Sequence, residues 1–116
     1  MKVMATENKM DESRFEALAD ETLERFMDVI DEVLGDTMDV DLESGILKIE
    51  LESGGQYVVN KHAPNRQIWL SSPVSGAAHF GYDEETSRWV STRGEGVLTE
   101  ILAKELEMAG GVPVDL

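Results

Sequence analysis

An α+β sandwich is predicted, with two helices packed on one face of a single antiparallel sheet of about six strands, in the order αββββββα. Three observations predict it. A segment near each end of the chain carries apolar residues at helical spacing. The residues between them fall into short runs that alternate apolar and polar. Brief turns rich in Gly, Ser, Pro and Asn join those runs into a meander. Each helix then has one apolar stripe and each strand one apolar face. Laying both helices on one sheet face buries all of them. The other sheet face meets water.

Taken in order, residues 1–10 are expected to be a frayed end of a single domain spanning 1–116. "DESRFEALADETLERFMDVIDEVLG" reads as the first helix, with Phe15, Leu18, Ala19, Leu23, Phe26, Ile30 and Leu34 on one stripe. Asp11 or Ser13 suits its N-cap and Gly35 its end. "DVDLESGILKIEL" reads as a hairpin turning at "ESG". Val40, Leu42, Leu47, Ile49 and Leu51 face inward in it. "QYVVNK" follows, with Tyr57 and Val59 inward, then "HAPN" as a turn, then "RQIWLSS". "AAHFGYD" and "SRWVST" are two more strands, and Trp89 is read as core. The second helix is "GEGVLTEILAKELEMAGG", with Leu98, Ile101, Leu102, Leu106 and Ala109 on its stripe and Gly110 as its stop.

The totals bound the function. A chain of 116 residues buries on the order of two-thirds of its unfolded surface, enough for a real core. It has no cysteine, which excludes disulfides, thiolate metal sites and cysteine nucleophiles. No apolar run approaches the roughly 20 residues of a membrane span, and the start lacks the apolar core of a signal peptide. The formal net charge is −14, so nucleic acid and anionic membranes are repelled. Residues 1–43 hold 14 acids against 4 bases, whereas residues 53–82 hold no carboxylate at all.

Two surfaces stand out. On the first helix Glu12, Glu16, Asp20, Glu24, Asp28 and Glu32 recur every four residues, so like charges are neighbours. Asp28, Asp31 and Glu32 share one turn, and Asp36, Asp39 and Asp41 follow. An all-oxygen set of this kind suits hard cations and not zinc or copper. A solvated acidic face and a docking site for a basic partner fit the same spacing. The second surface is the open sheet face. Strand parity puts Ile68 and Leu70 inward and leaves Trp69 outward, beside Asn60, Gln67 and Ser71. A large aromatic among neutral polar groups has the composition of an interface centre; an ordinary exposed residue is the alternative. His62 and His79 have no evident nucleophile beside them, and no phosphate-binding glycine loop is present.

The stretch "YVVNKHAPNRQIWLSSPVSG" resembles the central signature of the frataxin family, "NK..PN.QIWLSSP.SG". "DVDLESGILKIEL", "RWVST" and "VLTEILAKEL" are similar to that family's first hairpin, last strand and second helix. The likeness covers roughly residues 13–108, and the absence of an evident targeting segment points to a bacterial, CyaY-type member. One departure is "AAHFGYD", where Ala78 and His79 replace a common basic pair and Tyr82 a tryptophan.

The resemblance implies a non-enzymatic regulator of iron–sulfur cluster assembly that binds ferrous or ferric iron weakly. By position its iron ligands are Glu24, Asp28, Asp31, Glu32, Asp36, Asp39 and Asp41. The implied partners are the cysteine desulfurase and the scaffold protein, contacted through Asn60, Gln67, Trp69 and Ser71. The expected state is a monomer without iron. The expected compartment is the cytoplasm, or the mitochondrial matrix if a presequence has been removed. A ferroxidase and an oligomerising iron store are the alternatives. The ferroxidase ranks low because neither helix carries the Glu-x-x-His motif of di-iron bundles.

Overall fold

The computed structural model describes residues 10–94 and 96–116. The expected fraying of residues 1–9 lies outside them. Met10 is described, is half-buried and packs against the core. The elements are α1 (Glu12–Leu34), β1 (Asp39–Glu43), β2 (Ile46–Glu50), β3 (Gln56–His62), β4 (Gln67–Ser72), β5 (Gly76–Asp83), β6 (Arg88–Ser91) and α2 (Leu98–Gly110). The six strands form one antiparallel sheet in sequence order, as the alternation predicts.

Local chemistry places the ends. Asp11 caps α1, its side chain accepting from the Arg14 N–H at 2.8 Å. Ser44 and Gly45 both have positive φ (54° and 77°), the geometry that lets a two-residue loop join β1 to β2 without splaying them. The "HAPN" turn is a short 3-10 turn over Ala63–Asn65. The second helix departs from expectation at its end. It runs through Gly110 and is capped by Gly111 in the left-handed region (φ 76°), and Ala109 is exposed.

The core lies between the helices and the sheet. From α1 it takes Phe15, Ala19, Leu23, Phe26, Ile30 and Leu34, and from α2 Leu98, Leu102 and Leu106. The sheet supplies Leu47, Ile49, Tyr57, Val59, Ile68, Leu70, Phe80 and Trp89 from its inward positions. Among the described residues no helix is long and apolar enough to cross a membrane.

One polar network ties the two layers. Tyr57 Oη donates to Glu105 Oε1 at 3.0 Å and Ser72 Oγ donates to the same oxygen at 2.6 Å. Ser72 Oγ in turn accepts from the N–H groups of Val74 and Ser75, which fixes the β4–β5 turn to α2. Burial first, and then the hydrogen bond to Glu105, push the Tyr57 hydroxyl from its usual 10.0 up to about 12. Above pH 10 the unfolded chain releases this proton while the folded chain keeps it. The contribution is therefore complete below pH 10 and lost as pH rises toward 12. About two units at ~1.4 kcal/mol each predict an alkaline loss of about 2–3 kcal/mol. Tyr57→Phe should be about 1 kcal/mol less stable at pH 7 for want of the hydrogen bond, yet lack this alkaline step. Denaturant titrations of both proteins between pH 9 and 12 check it; equal alkaline slopes would refute the assignment.

Candidate functional site

The acidic row on α1 is not uniform. Lys61 lies on the helix-facing side of β3 and reaches across to it, donating to Glu16 and, at 2.7 Å, to Asp20. Its hydrogen bonds to Asp20 and then Glu16 hold its ammonium above the usual lysine value. Arg14 grips Glu84 with both guanidinium nitrogens, at 2.6 and 2.7 Å. Of the row, Glu16 and Asp20 thus share one basic partner, Lys61, while Arg14 is taken up by Glu84 of the loop after β5. Glu24, Asp28, Asp31 and Glu32, all exposed on the C-terminal half of α1, have no ion pair among the described residues.

Asp36 follows in the exposed loop after α1. Asp39 and Asp41 come next on β1, but Val40 and Leu42 turn toward the core, so the two aspartates point away from the helices. The seven expected ligands therefore wrap around the β1 edge. Four sit on the outer helix surface and two on the open sheet face. Among the described residues no group of three or more His, Asp or Glu side chains converges to hold one metal ion. What the structure brings together is a field of exposed, unpaired carboxylates rather than a chelating cage. Such a field holds hard di- and trivalent cations by charge, loosely and with several waters retained.

On the open sheet face the register builds a row. Ile46 lies opposite Asn60, Asn60 opposite Trp69, and Trp69 opposite His79. Gln67 and Ser71 flank Trp69 on β4, and Ser71 is exposed. Trp69 Nε1 donates to Gln67 Oε1 at 2.8 Å. Trp69 is only half-exposed, because a ring covers each of its faces. His62 stacks on one face at 3.7 Å between centroids and His79 on the other at 4.1 Å, both inclined by 10°. Sequence reasoning left these histidines without a role. Parity was the available signal: both fall at outward positions of the strands flanking β4. The result is a three-ring ridge whose central indole is held upright in one rotamer.

The sequence pattern described as "Frataxin-like domain" matches residues 8–112. The chain belongs to the frataxin-like family. Among frataxin relatives, "Frataxin, mitochondrial" of Arabidopsis thaliana is 41% identical over 92% of this chain, which spans 59% of that longer protein. "Iron-sulfur cluster assembly protein CyaY" of Pseudomonas fluorescens (strain Pf0-1) is 37% identical over 91% of this chain and 94% of its own length. A trimeric frataxin from Saccharomyces cerevisiae, solved in complex with ferrous iron, superposes with a TM-score of 0.73 at 38% identity. That superposition covers 82% of this frataxin-like chain and 87% of the yeast chain.

Proposed function

We propose that this frataxin-like chain is a non-enzymatic, iron-binding regulator of iron–sulfur cluster assembly. It docks through its open sheet face on the cysteine desulfurase and scaffold complex and modulates the rate of that complex. The carrying observation is the upright Trp69 ridge, built from residues of the carboxylate-free stretch 53–82 and set apart from an unpaired acidic surface in the same small domain. The kinship with proteins named for iron–sulfur cluster assembly, and with a frataxin solved with ferrous iron, supplies the pathway and the metal. In this reading Glu24, Asp28, Asp31, Glu32, Asp36, Asp39 and Asp41 attract iron and also a basic patch on the partner. Asn60, Gln67, Trp69 and Ser71 make the close contact. The experiment is cluster formation on the scaffold, followed with and without this protein and with the desulfurase of the same organism. An unchanged rate would refute the proposal.

Iron binding by dispersed carboxylates is expected to be electrostatic, weakened by salt and shared with other hard cations. Replacing Asp28 and Asp31 by Asn and Glu32 by Gln should reduce it. The same variant should melt at or above the parental temperature in metal-free buffer, because each like-charge neighbour removed returns about 0.2–0.5 kcal/mol. Anaerobic ferrous titrations and thermal melts measure both effects. Parental iron affinity in the triple variant would remove the acidic surface from the reading.

A further inference from the structure

Two buried side-chain polar atoms among the described residues have no hydrogen-bond partner, His62 Nδ1 and Arg66 Nε. They flank the turn that joins β3 to β4, His62 as the last residue of β3 and Arg66 just before β4. Buried polar groups are nearly always paired. An orphan such as Arg66 Nε therefore marks a place where a partner belongs. Arg66 has φ 54°, a left-handed conformation that is unfavourable for a residue bearing a long side chain. Glycine or asparagine would suit that backbone better. The left-handed backbone at this position thus gives no reason for an arginine.

The guanidinium is oriented. Arg66 N–H and Nη1 both donate to Ala63 O, which leaves the Nε–Nη2 edge for something else. Beside it lies a hollow of about 510 Å³ lined by Pro64, Arg66, Gln67, Gly81 and Tyr82. Gly81 borders the hollow, and a Cβ there would meet nothing within 4 Å, so a side chain at this position has open space to enter. Glu84 also borders it, but Arg14 already holds that carboxylate by both oxygens. Lys61, the other cation of residues 53–82, is engaged by Glu16 and Asp20. Among the described residues the Arg66 guanidinium has no carboxylate partner.

We infer that this hollow receives a carboxylate group. An ionised carboxylate accepts two parallel bonds from a guanidinium edge, and the amide of Gln67 borders the same space. Gln67 also links the hollow to the Trp69 ridge through its bond to the indole N–H. The carboxylate comes either from a small anion in solution or from an Asp or Glu side chain of the docked protein. The second source rests on the function proposed above.

Two arms distinguish the sources. In the first, the chain alone is titrated with succinate at constant ionic strength, and NMR follows the Arg66 Nε–H and the Gly81 amide. In the second, docking on the desulfurase–scaffold complex is measured. Arg66→Asn and Gly81→Leu are compared with the parent in both arms, and Trp69→Ala in the second. Asparagine tolerates the left-handed backbone, and Gly81 has room for a side chain, so melts of both variants should match the parent. Saturable succinate shifts that vanish in both variants assign a free anion. No shifts, with docking weakened about tenfold or more in both variants, assign the partner's side chain. Gly81→Leu changes no charge, so a loss confined to Arg66→Asn reports only the long-range field and overturns the hollow. Parental behaviour of both variants, with docking lost in Trp69→Ala, overturns the carboxylate and leaves the docking face standing. If Trp69→Ala also docks normally and succinate shifts nothing, both readings fall.

Discussion

Trp89→Ala is expected to lose about 3–5 kcal/mol, the usual result of truncating a buried aromatic ring. Small domains are stable by about 5–15 kcal/mol, so much of this protein would unfold near 37 °C. The indole is 3% exposed and sits where α1, β5 and β6 meet. It meets Phe15 edge-on at 6.0 Å and Tyr82 at 5.2 Å. Its Nε1 donates to Thr22 Oγ1 at 3.0 Å, and that hydroxyl donates to Leu18 O. Truncation would empty the site and leave Thr22 without its donor. Trp89→Phe should cost less, since it keeps a ring there, and Thr22→Val should cost about 1–3 kcal/mol by leaving the indole N–H unpaired. Thermal and denaturant melts rank the three. A Trp89→Ala protein that melts near the parent would contradict the core described above.

Trp69→Ala should do the reverse, sparing the fold and removing docking. Its outward position leaves no internal cavity, but two stacked rings and one hydrogen bond disappear, so a stability loss of about 1–2 kcal/mol is expected. Affinity for the desulfurase–scaffold complex should fall by about 2 kcal/mol or more, the size of an aromatic hot spot. The ridge adds a reason. His62, His79 and Gln67 already hold the indole in one rotamer, so docking orders little that was free before. His79→Ala should therefore weaken docking without deleting a direct anchor. Iron binding should be untouched, because the carboxylates lie elsewhere. Binding titrations against the assembled complex, beside melts and ferrous titrations, test this. A Trp69→Ala protein that folds and docks like the parent would remove the docking face from the proposal.

The contrast between the two tryptophans was legible in the sequence, because alternation along a strand is read directly and each strand has one aliphatic face. The element order was legible for the same reason. Which of two adjacent glycines ends α2 was not, since Gly110 and Gly111 are equally able to adopt the left-handed cap. Parity also placed Lys61 toward the helices, but its grip on Glu16 and Asp20 depends on how α1 crosses the sheet. For that reason the acidic row read as continuous where two of its members, Glu16 and Asp20, share a lysine. The His62–Trp69–His79 stack depended on register, which the turns at "HAPN" and "SPVSG" fix only once their geometry is known. The long-range network of Tyr57, Ser72 and Glu105 left no local trace at all.

The two margins of the sheet are closed by different means. At β6 the chain covers itself: Val97 bridges to Val90, and the Ser91 N–H donates to Gly96 O. At β1 no strand follows, and the exposed Asp39, Asp41 and Glu43 stand along the margin instead. Charge on an edge strand deters another strand from adding to it and so resists aggregation. Protection of this kind is conditional. Acid that protonates those carboxylates, or cations that neutralise them, would uncover a free pairing edge at β1 while leaving β6 sealed. Filament growth or self-association under such conditions would then start at β1, and a lysine in place of Val40 or Leu42 would not guard it, because those positions turn into the core.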